Sequence, residues 1–175
     1  QIFFFFYGQT VLSQNLRLLN EVERENVLWI DLSSPTGEEK RAVEKFLDTT
    51  IQSRAQAEEI ESSSRYSETE TTIFANTNFM IPSPENYNME AVSFILSHSV
   101  LVSIRTVPLR SFTDIQRRLL ANYKIYPTSF HILVSILENR IDMDADMIEL
   151  MAKEIAQYSK RVSLGENIGE EFLLD

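Results

Sequence analysis

Cysteine is absent from this 175-residue sequence, which has only four glycines and two histidines. Without cysteine there is no disulfide, thiolate zinc site or cysteine nucleophile, which is consistent with a reducing compartment. No two glycines have the spacing of a phosphate-binding or dinucleotide-binding loop. Neither His98 nor His131 has a glutamate or histidine at zinc-binding spacing, so both are interpreted as structural. We therefore expect a protein that is not an enzyme.

Long apolar runs are also missing. The apolar, uncharged stretch of residues 125–137 is interrupted by Pro127 and by polar residues. It falls short of the roughly 20 residues that a membrane-spanning helix needs. The run from Ile2 to Tyr7 has no basic residue before it. That run is therefore predicted to be a buried strand and not a signal peptide.

Acidic residues outnumber basic ones, with 26 Asp and Glu against 16 Lys and Arg and a net charge of −10. Such a surface repels nucleic acid and anionic lipid, so both are poor candidate partners. It attracts cations, although many acidic surfaces serve only solubility. Eleven Phe, six Tyr and one Trp indicate a folded chain with a substantial core.

Apolar periodicity predicts strands that alternate with helices. Strands are expected at residues 2–7, 27–32, 71–81, 89–96 and 100–105, and helices at residues 36–47, 51–62, 111–122 and 128–162. The strands after residue 27 are expected to form one mixed sheet with helices on both faces and Trp29 buried between them. The short link Ser97–Ser99 predicts an antiparallel hairpin.

Helix boundaries follow from capping residues. Thr36 and Glu39 have the spacing of a capping box, and Ser111 is predicted to cap a later helix. The helix over residues 128–162 would extend about 50 Å at ~1.5 Å per residue. We expect residues 1–162 to form one domain, and residues 163–175 to begin a further helix that is truncated.

Two acidic clusters are candidate cation sites. Asp142 to Asp146 begins like a calcium loop, but the sixth position is Met147 and the twelfth is Lys153. Since a calcium loop requires glycine and glutamate there, a solvated acidic helix face is the preferred interpretation.

The second cluster is Glu58, Glu59 and Glu61, near the predicted C-terminus of a helix. The helix dipole already places negative potential there, so a cation is expected nearby. Arg65 is one candidate for that cation. A hydrated Mg²⁺ is the other, because Mg²⁺ binds through one or two carboxylates and keeps several waters.

An ordered series of segments resembles the CorA family of divalent-cation transporters over about residues 25–162. The series consists of the strand Trp29-Ile30-Asp31-Leu32, the Pro35-Thr36 helix start, the acidic helix that ends in Ser63-Ser64-Arg65-Tyr66, the strands of residues 71–105, and Ser129-Phe130-His131-Ile132-Leu133 before a long acidic helix. Where many members have Arg-Pro-Lys, this chain has Arg65-Tyr66-Ser67.

The resemblance implies an α/β fold: a three-layer α/β/α sandwich with a mixed, partly antiparallel central sheet and a long C-terminal helix. It places the domain on the cytoplasmic face of the inner membrane, followed in the full protein by a stalk and two membrane spans. In the family, five subunits form the channel and Mg²⁺ between subunits keeps it closed. Glu58, Glu59 and Glu61 are the implied metal residues, and Glu58 fits best.

The implied function is therefore the metal-sensing, gating domain of a divalent-cation channel, with Mg²⁺, Co²⁺, Ni²⁺ and Zn²⁺ all open as the transported ion. Mg²⁺ should bind weakly to the isolated chain, which should be a monomer or weak oligomer. Two alternatives are a soluble acidic interaction module without a transport role and a hydrolase with a carboxylate metal site. The start of a helix at Glu170 favours the channel domain over the module.

Overall fold

The computed structural model describes residues 1–10, 12–51, 66–68, 71–84 and 87–165. These residues form seven strands and three α-helices. The strands are β1 (Ile2–Phe6), β2 (Leu12–Ser13), β3 (Val27–Ser33), β4 (Tyr66–Glu68), β5 (Thr72–Pro82), β6 (Tyr87–Ser97) and β7 (Val100–Arg105). The helices are α1 (Gly37–Leu47), α2 (Arg110–Ala121) and α3 (Ser129–Ser163). Short 3-10 turns occupy Leu16–Asn20, Arg24–Asn26 and Tyr123–Ile125.

The strands form one mixed sheet in the order β2-β1-β3-β7-β6-β5-β4. Only the central pair, β3 and β7, is parallel, and every other neighbouring pair is antiparallel. The prediction of a single mixed sheet is confirmed, as is the antiparallel hairpin of β6 and β7. His98 and Ser99 form its turn, with φ of 50° and 62°.

Helices cover both faces of the sheet. Val43 and Leu47 of α1 pack with one set of strand residues, including Ile30. On the other face, Phe112 of α2 and Ile132 of α3 pack with Trp29 and its neighbours. Trp29 is fully buried, as predicted. Strand β3 is apolar along nearly its whole length because helices cover both faces of the sheet at this strand. The predicted three-layer α/β/α sandwich is confirmed.

The capping box of α1 is present: Glu39 N–H donates to Thr36 Oγ1 at 3.1 Å and Thr36 N–H donates to Glu39 Oε2 at 2.9 Å. The predicted cap of α2 is wrong. That helix begins at Arg110 with Leu109 as its N-cap, and no side chain caps it. Leu109 is buried in the core, and the N-cap therefore lies two residues before the predicted Ser111.

Two strands were not predicted, β2 and β4, which are only two and three residues long. Tyr66, expected where the acidic helix ends, lies in β4 opposite Ala75. The helix predicted over residues 51–62 lies outside the described residues except for Ile51, which is buried and not helical.

The chain divides into two compact units, residues 1–137 and 138–175. The first contains the sheet, α1, α2 and the first turns of α3. In the second, the described residues are the rest of α3 and its end at Gly165, where φ is 70°. The division predicted after residue 162 stays a prediction.

Candidate functional site

The predicted metal residues Glu58, Glu59 and Glu61, and the competing cation Arg65, lie outside the described residues. Their role as a metal site therefore stays a prediction. In the part of the chain that is described, no group of three or more histidine or acidic side chains is placed to hold a metal ion.

The segment Asp142 to Asp146 lies within helix α3 and does not form a calcium loop. Asp142 and Asp146 are exposed. Asp144 Oδ2 lies 3.5 Å from Nε of Arg140, which is one helical turn earlier. Side chains four residues apart on a helix are neighbours, so this pairing is local. The geometry agrees with a solvated acidic helix face.

Both histidines contact hydroxyl groups. His98 Nδ1 lies 2.9 Å from Ser97 Oγ, which also lies 3.1 Å from Thr72 Oγ1. His131 Nδ1 lies 2.6 Å from Thr128 Oγ1 at the start of α3. Each contact orients the imidazole of a residue in a turn or first helical turn, which agrees with a structural role for both.

The densest polar arrangement among the described residues is a buried ion pair between Asp31 of β3 and Arg105 of β7. Arg105 Nη2 donates to Asp31 Oδ2 at 2.8 Å, and Arg105 Nε lies 3.2 Å from both carboxylate oxygens. Ser103 Oγ donates to Asp31 Oδ1 at 2.8 Å, and Gln116 Nε2 of α2 donates to Oδ2 at 3.1 Å. We call these four residues the ionic centre.

The guanidinium of Arg105 is satisfied beyond its carboxylate. Nη1 donates to Ser33 Oγ at 3.2 Å and to the Val107 carbonyl at 2.9 Å. The group also lies 5.5 Å from the ring centroid of Phe112, within range of a cation–π interaction. A charge this deeply buried requires such complete pairing, since an unpaired one would cost several kcal/mol (about 3–5).

Strand register brings the ionic centre together. In the parallel pair, Asp31 lies opposite Ser103 and Ser33 opposite Arg105. Trp29 Nε1 donates to Ser103 Oγ at 2.9 Å, which joins the tryptophan to the same network. Sequence reasoning missed this centre. The sequence features that could have indicated it are one acidic residue inside an apolar strand, Asp31, and one arginine at the end of another strand, Arg105.

The ionic centre lies where open α/β sheets commonly bind ligands. The chain leaves β3 for a helix on one face and leaves the adjacent parallel β7 for a helix on the other, which creates a crevice at the carboxyl ends of the strands. In this protein, hydrogen bonds from Ser34 close the crevice. Ser34 N–H donates to the Arg105 carbonyl at 2.8 Å, and Ser34 Oγ donates to the Thr106 carbonyl at 3.0 Å. Asp31 is fully buried. The arrangement ties β3, β7 and α2 together.

An open groove of about 820 Å³ lies between α1 and the 3-10 turns that follow β2. Leu16, Leu19 and Phe46 supply apolar lining, while Arg17 and Glu38 are among charged residues of both signs. Charges of mixed sign select no ligand class, so the groove adds no functional assignment.

The sequence matches the model of the family described as "CorA-like Mg2+ transporter protein" over residues 24–172. The chain belongs to the CorA-like Mg²⁺ transporter family. The magnesium transport protein CorA of Wolinella succinogenes is 34% identical over 155 residues, which is 86% of this chain and 48% of that protein. The protein of the same name from Campylobacter jejuni is 30% identical over 149 residues, 80% of this chain and 46% of that protein.

Solved structures share the fold of this CorA-like chain. The full-length CmaX protein superposes with a TM-score of 0.66 at 14% identity, covering 96% of this chain and 52% of that one. The soluble domain of CorA from Methanocaldococcus jannaschii gives a TM-score of 0.54 at 17% identity, covering 89% and 65%. At these identities the likeness shows the fold alone.

The CorA-like chain spans about half the length of the curated relatives it matches. Those relatives are named as transport proteins and not as enzymes. Within the described residues, no helix combines the length and apolar character needed to cross a bilayer.

Proposed function

We propose that this chain is the cytoplasmic, metal-sensing and gating domain of a CorA-like divalent-cation channel, and that it has no enzymatic role. The observation that carries the proposal is the family match over residues 24–172 of a chain that spans only about half of its relatives. The remaining half of the full-length protein would contain the transport path. The likeness to the soluble domain of CorA from Methanocaldococcus jannaschii supports the same division.

The proposed regulatory ion is Mg²⁺, held between neighbouring subunits of a pentamer by Glu58, Glu59 and Glu61. The net charge of −10 supports this mechanism, because acidic subunits in a ring repel one another until cations neutralise them. The three carboxylates lie within four residues at a predicted helix C-terminus, where the helix dipole disfavours negative charge unless a cation is near.

Gating then requires only a modest free energy per site. A ligand shifts an equilibrium by the difference between its affinities for the two states. Moving a channel from 1:99 to 99:1 in favour of the closed state takes about 5.5 kcal/mol in total, so five equivalent sites would each supply roughly 1 kcal/mol. Weak sites are sufficient when the ring contains several of them.

The test uses the full-length protein reconstituted into liposomes, with Mg²⁺ varied on the side of this domain. In the unmodified protein, rising Mg²⁺ should reduce cation flux and slow cleavage of the domain by a protease. In the double variant Glu58→Ala with Glu59→Ala, both effects should need at least several-fold more Mg²⁺, because two carboxylates have been removed from the site.

The matched control is Glu23→Ala with Glu25→Ala, which removes the same charge from two exposed glutamates near a 3-10 turn. That variant should respond to Mg²⁺ like the unmodified protein. Equal shifts in both variants would show that overall charge, and not a site, controls the response. No shift in the first variant would assign Arg65 as the partner of these glutamates.

The isolated chain should bind Mg²⁺ only weakly, because the neighbouring subunit's ligands are missing. Calorimetry should give a millimolar Kd, equivalent to about 4 kcal/mol. A micromolar Kd for the isolated chain would place the complete site within one subunit, which contradicts the intersubunit mechanism.

A further inference from the structure

Two hydroxyl groups from different elements meet at one backbone oxygen, the carbonyl of Ser99 in the turn between β6 and β7. Ser129 Oγ, in the first turn of α3, donates to this oxygen at 2.8 Å. Tyr7 OH, directly after β1, donates to the same oxygen at 2.9 Å. A carbonyl oxygen has two lone pairs and can accept both hydrogen bonds. We call Tyr7, Ser99 and Ser129 the turn junction.

The turn that presents this carbonyl has an uncommon backbone. His98 and Ser99 have φ of 50° and 62°, the signs of a type I′ turn, in which asparagine and glycine are favoured. Other residues with positive φ persist where their surroundings hold them. Thr72 Oγ1, Ser97 Oγ and His98 Nδ1 form a chain of contacts of 3.1 and 2.9 Å. The turn is therefore held from β5, from β1 and from α3, which fixes the direction of its carbonyl.

Ser129 supplies the directional part of the contact between α3 and the sheet. The buried residues of α3 are Ser129, Ile132 and Ile136, which are spaced three and four positions apart and so share one face. The two isoleucines make apolar contacts, which are non-directional. A hydrogen bond, in contrast, weakens steeply when its angle changes. Because Ser129 alone among the three has a side-chain donor, its hydroxyl determines how far α3 is rotated about its own axis.

A cavity of about 440 Å³ adjoins the turn junction. Tyr7, Ser99 and Ser129 all line it, as does Phe130, which follows Ser129 and is 58% exposed. Close packing is what normally fixes one element against another. On this side of the first turn such packing is incomplete, so α3 has room to roll unless the hydrogen bond to Ser99 restrains it.

A small movement at the start of α3 becomes a large one at its end. The helix is continuous from Ser129 to Ser163, and its 35 residues extend about 52 Å at ~1.5 Å per residue. A tilt of about 10° at Ser129 would therefore displace the other end by about 9 Å. Residues 138–163 of the helix belong to the second unit, so any movement at Ser129 is passed on to them.

We propose that the turn junction sets the rotation and tilt of α3 on the sheet, with Ser129 and Tyr7 as positioning residues that act through the Ser99 carbonyl. The shared acceptor links the end of β1 to the start of α3, so that neither can shift without disturbing the other. The proposal rests on the proposed function only for its second readout, which is the response to Mg²⁺.

The test variants follow from the hydrogen bonds. Ser129→Ala removes one donor, while the Ser99 carbonyl keeps its hydrogen bond from Tyr7, so this acceptor is not left unpaired. Ser129→Thr restores the hydroxyl, and the adjoining cavity has room for the added methyl group. Tyr7→Phe removes the other donor without altering α3. The matched control is Ser135→Ala, the same substitution at a half-buried position of α3 outside the junction.

Distances between spin labels report the position of α3 in the full-length protein. This chain contains no cysteine, so labels are attached at Thr113→Cys on α2 and Gln157→Cys on α3, both exposed. Any cysteine outside these 175 residues is replaced by serine, and labelled protein is diluted with unlabelled protein so that distances within one chain are measured. Ser129→Ala should widen the distance distribution about twofold, because rotation of the helix is no longer restrained. Tyr7→Phe should widen it less, and Ser129→Thr and Ser135→Ala should leave it unchanged.

An unchanged width in Ser129→Ala overturns the proposal. Equal widening in the Ser135→Ala control does so too, because it would indicate a general loosening of α3. A Ser129→Thr distribution as wide as that of Ser129→Ala would show that the hydroxyl is not the cause. An unchanged width in Tyr7→Phe would remove Tyr7 from the junction.

The second readout is cation flux in liposomes. Ser129→Ala should raise the Mg²⁺ concentration for half-maximal inhibition about threefold, because Mg²⁺ binding must then also order α3. Widening without this rise retains the junction as a positioning device and refutes its role in gating. If the unmodified protein does not respond to Mg²⁺, the proposed gating function is refuted, and the distance measurement still decides whether the turn junction positions α3.

Discussion

Helices α1 and α2 differ sharply from the second part of α3, although all three carry regular apolar stripes. Val43 and Leu47 of α1 and Ile115 of α2 are completely buried against the sheet. Ile148 and Ile155 of α3 are 60% and 65% exposed. The residue types are nearly the same, so the difference lies in what each helix packs against.

The comparison shows that helical periodicity indicates a face to be covered, and not what covers it. For α1 and α2 the cover is the sheet, which the same chain supplies through strands that are distant in sequence. On residues 138–163 of α3, by contrast, Ile141, Ile148, Ile155 and Val162 are each more than half exposed. An exposed stripe at regular spacing is therefore information about a partner.

The largest expected effect concerns the ionic centre of the first unit. Replacing Arg105 by methionine leaves the buried Asp31 carboxylate without its cation, which should lower the free energy of unfolding by about 3–5 kcal/mol. Urea unfolding followed by circular dichroism measures the change. The control is Arg110→Met, because Arg110 is exposed and lies 3.8 Å from Asp114. This exposed pair should contribute less than about 1 kcal/mol.

A double variant separates the contribution of charge from that of side-chain shape to the stability loss of Arg105→Met. Asp31→Leu combined with Arg105→Met removes both charges together, and the double variant should be clearly more stable than Arg105→Met alone. If the double variant is the less stable of the two, then shape and not charge dominates at the ionic centre.

The comparison between helices can be tested with one substitution at two sites. Ile115→Ala leaves a cavity in the core and should cost about 2–5 kcal/mol. Ile148→Ala, at a site 60% exposed, should change the stability of the 175-residue chain by no more than about 0.5 kcal/mol. Equal losses in urea unfolding would mean that the stripe is already packed in this chain.

The smallest expected effect concerns the start of α1. Thr36→Ala removes the side-chain half of the capping box and should cost about 1 kcal/mol. Thr10→Ala, an exposed threonine outside any strand or helix, is the control and should be close to neutral. A loss below about 0.3 kcal/mol for Thr36→Ala would assign the helix start to the packing of Val43 and not to the cap.

Local patterns predicted most of the fold. Strand β7 was predicted with the bounds it has, and the Thr36–Glu39 capping box is present because both halves of the motif lie within one turn. Strands β2 and β4 were missed because two or three residues are too few to show alternation. The cap assigned to Ser111 was wrong because burial of Leu109, a tertiary effect, decided where α2 begins.

The ionic centre could not be predicted from local sequence patterns, and the reason is different. Asp31 and Arg105 are separated by 74 positions, and only the parallel register of β3 and β7 brings them together. Neither residue belongs to a motif with fixed spacing. The predicted metal residues Glu58, Glu59 and Glu61 came from the resemblance and from helix electrostatics, and they remain to be tested by experiment.

The topology of the sheet has a consequence for the order of folding. Strands β5, β6 and β7 follow one another through short connections, and β1 pairs with β2 within a dozen residues, so each group forms from local contacts. The parallel contact of β3 with β7 joins segments about 70 residues apart and must close a large loop first. During synthesis, β3 therefore leaves the ribosome long before its partner. Until β7 is made, Trp29 lacks its partner Ser103, Asp31 lacks its partner Arg105, and the edge of β3 that will pair with β7 stays open.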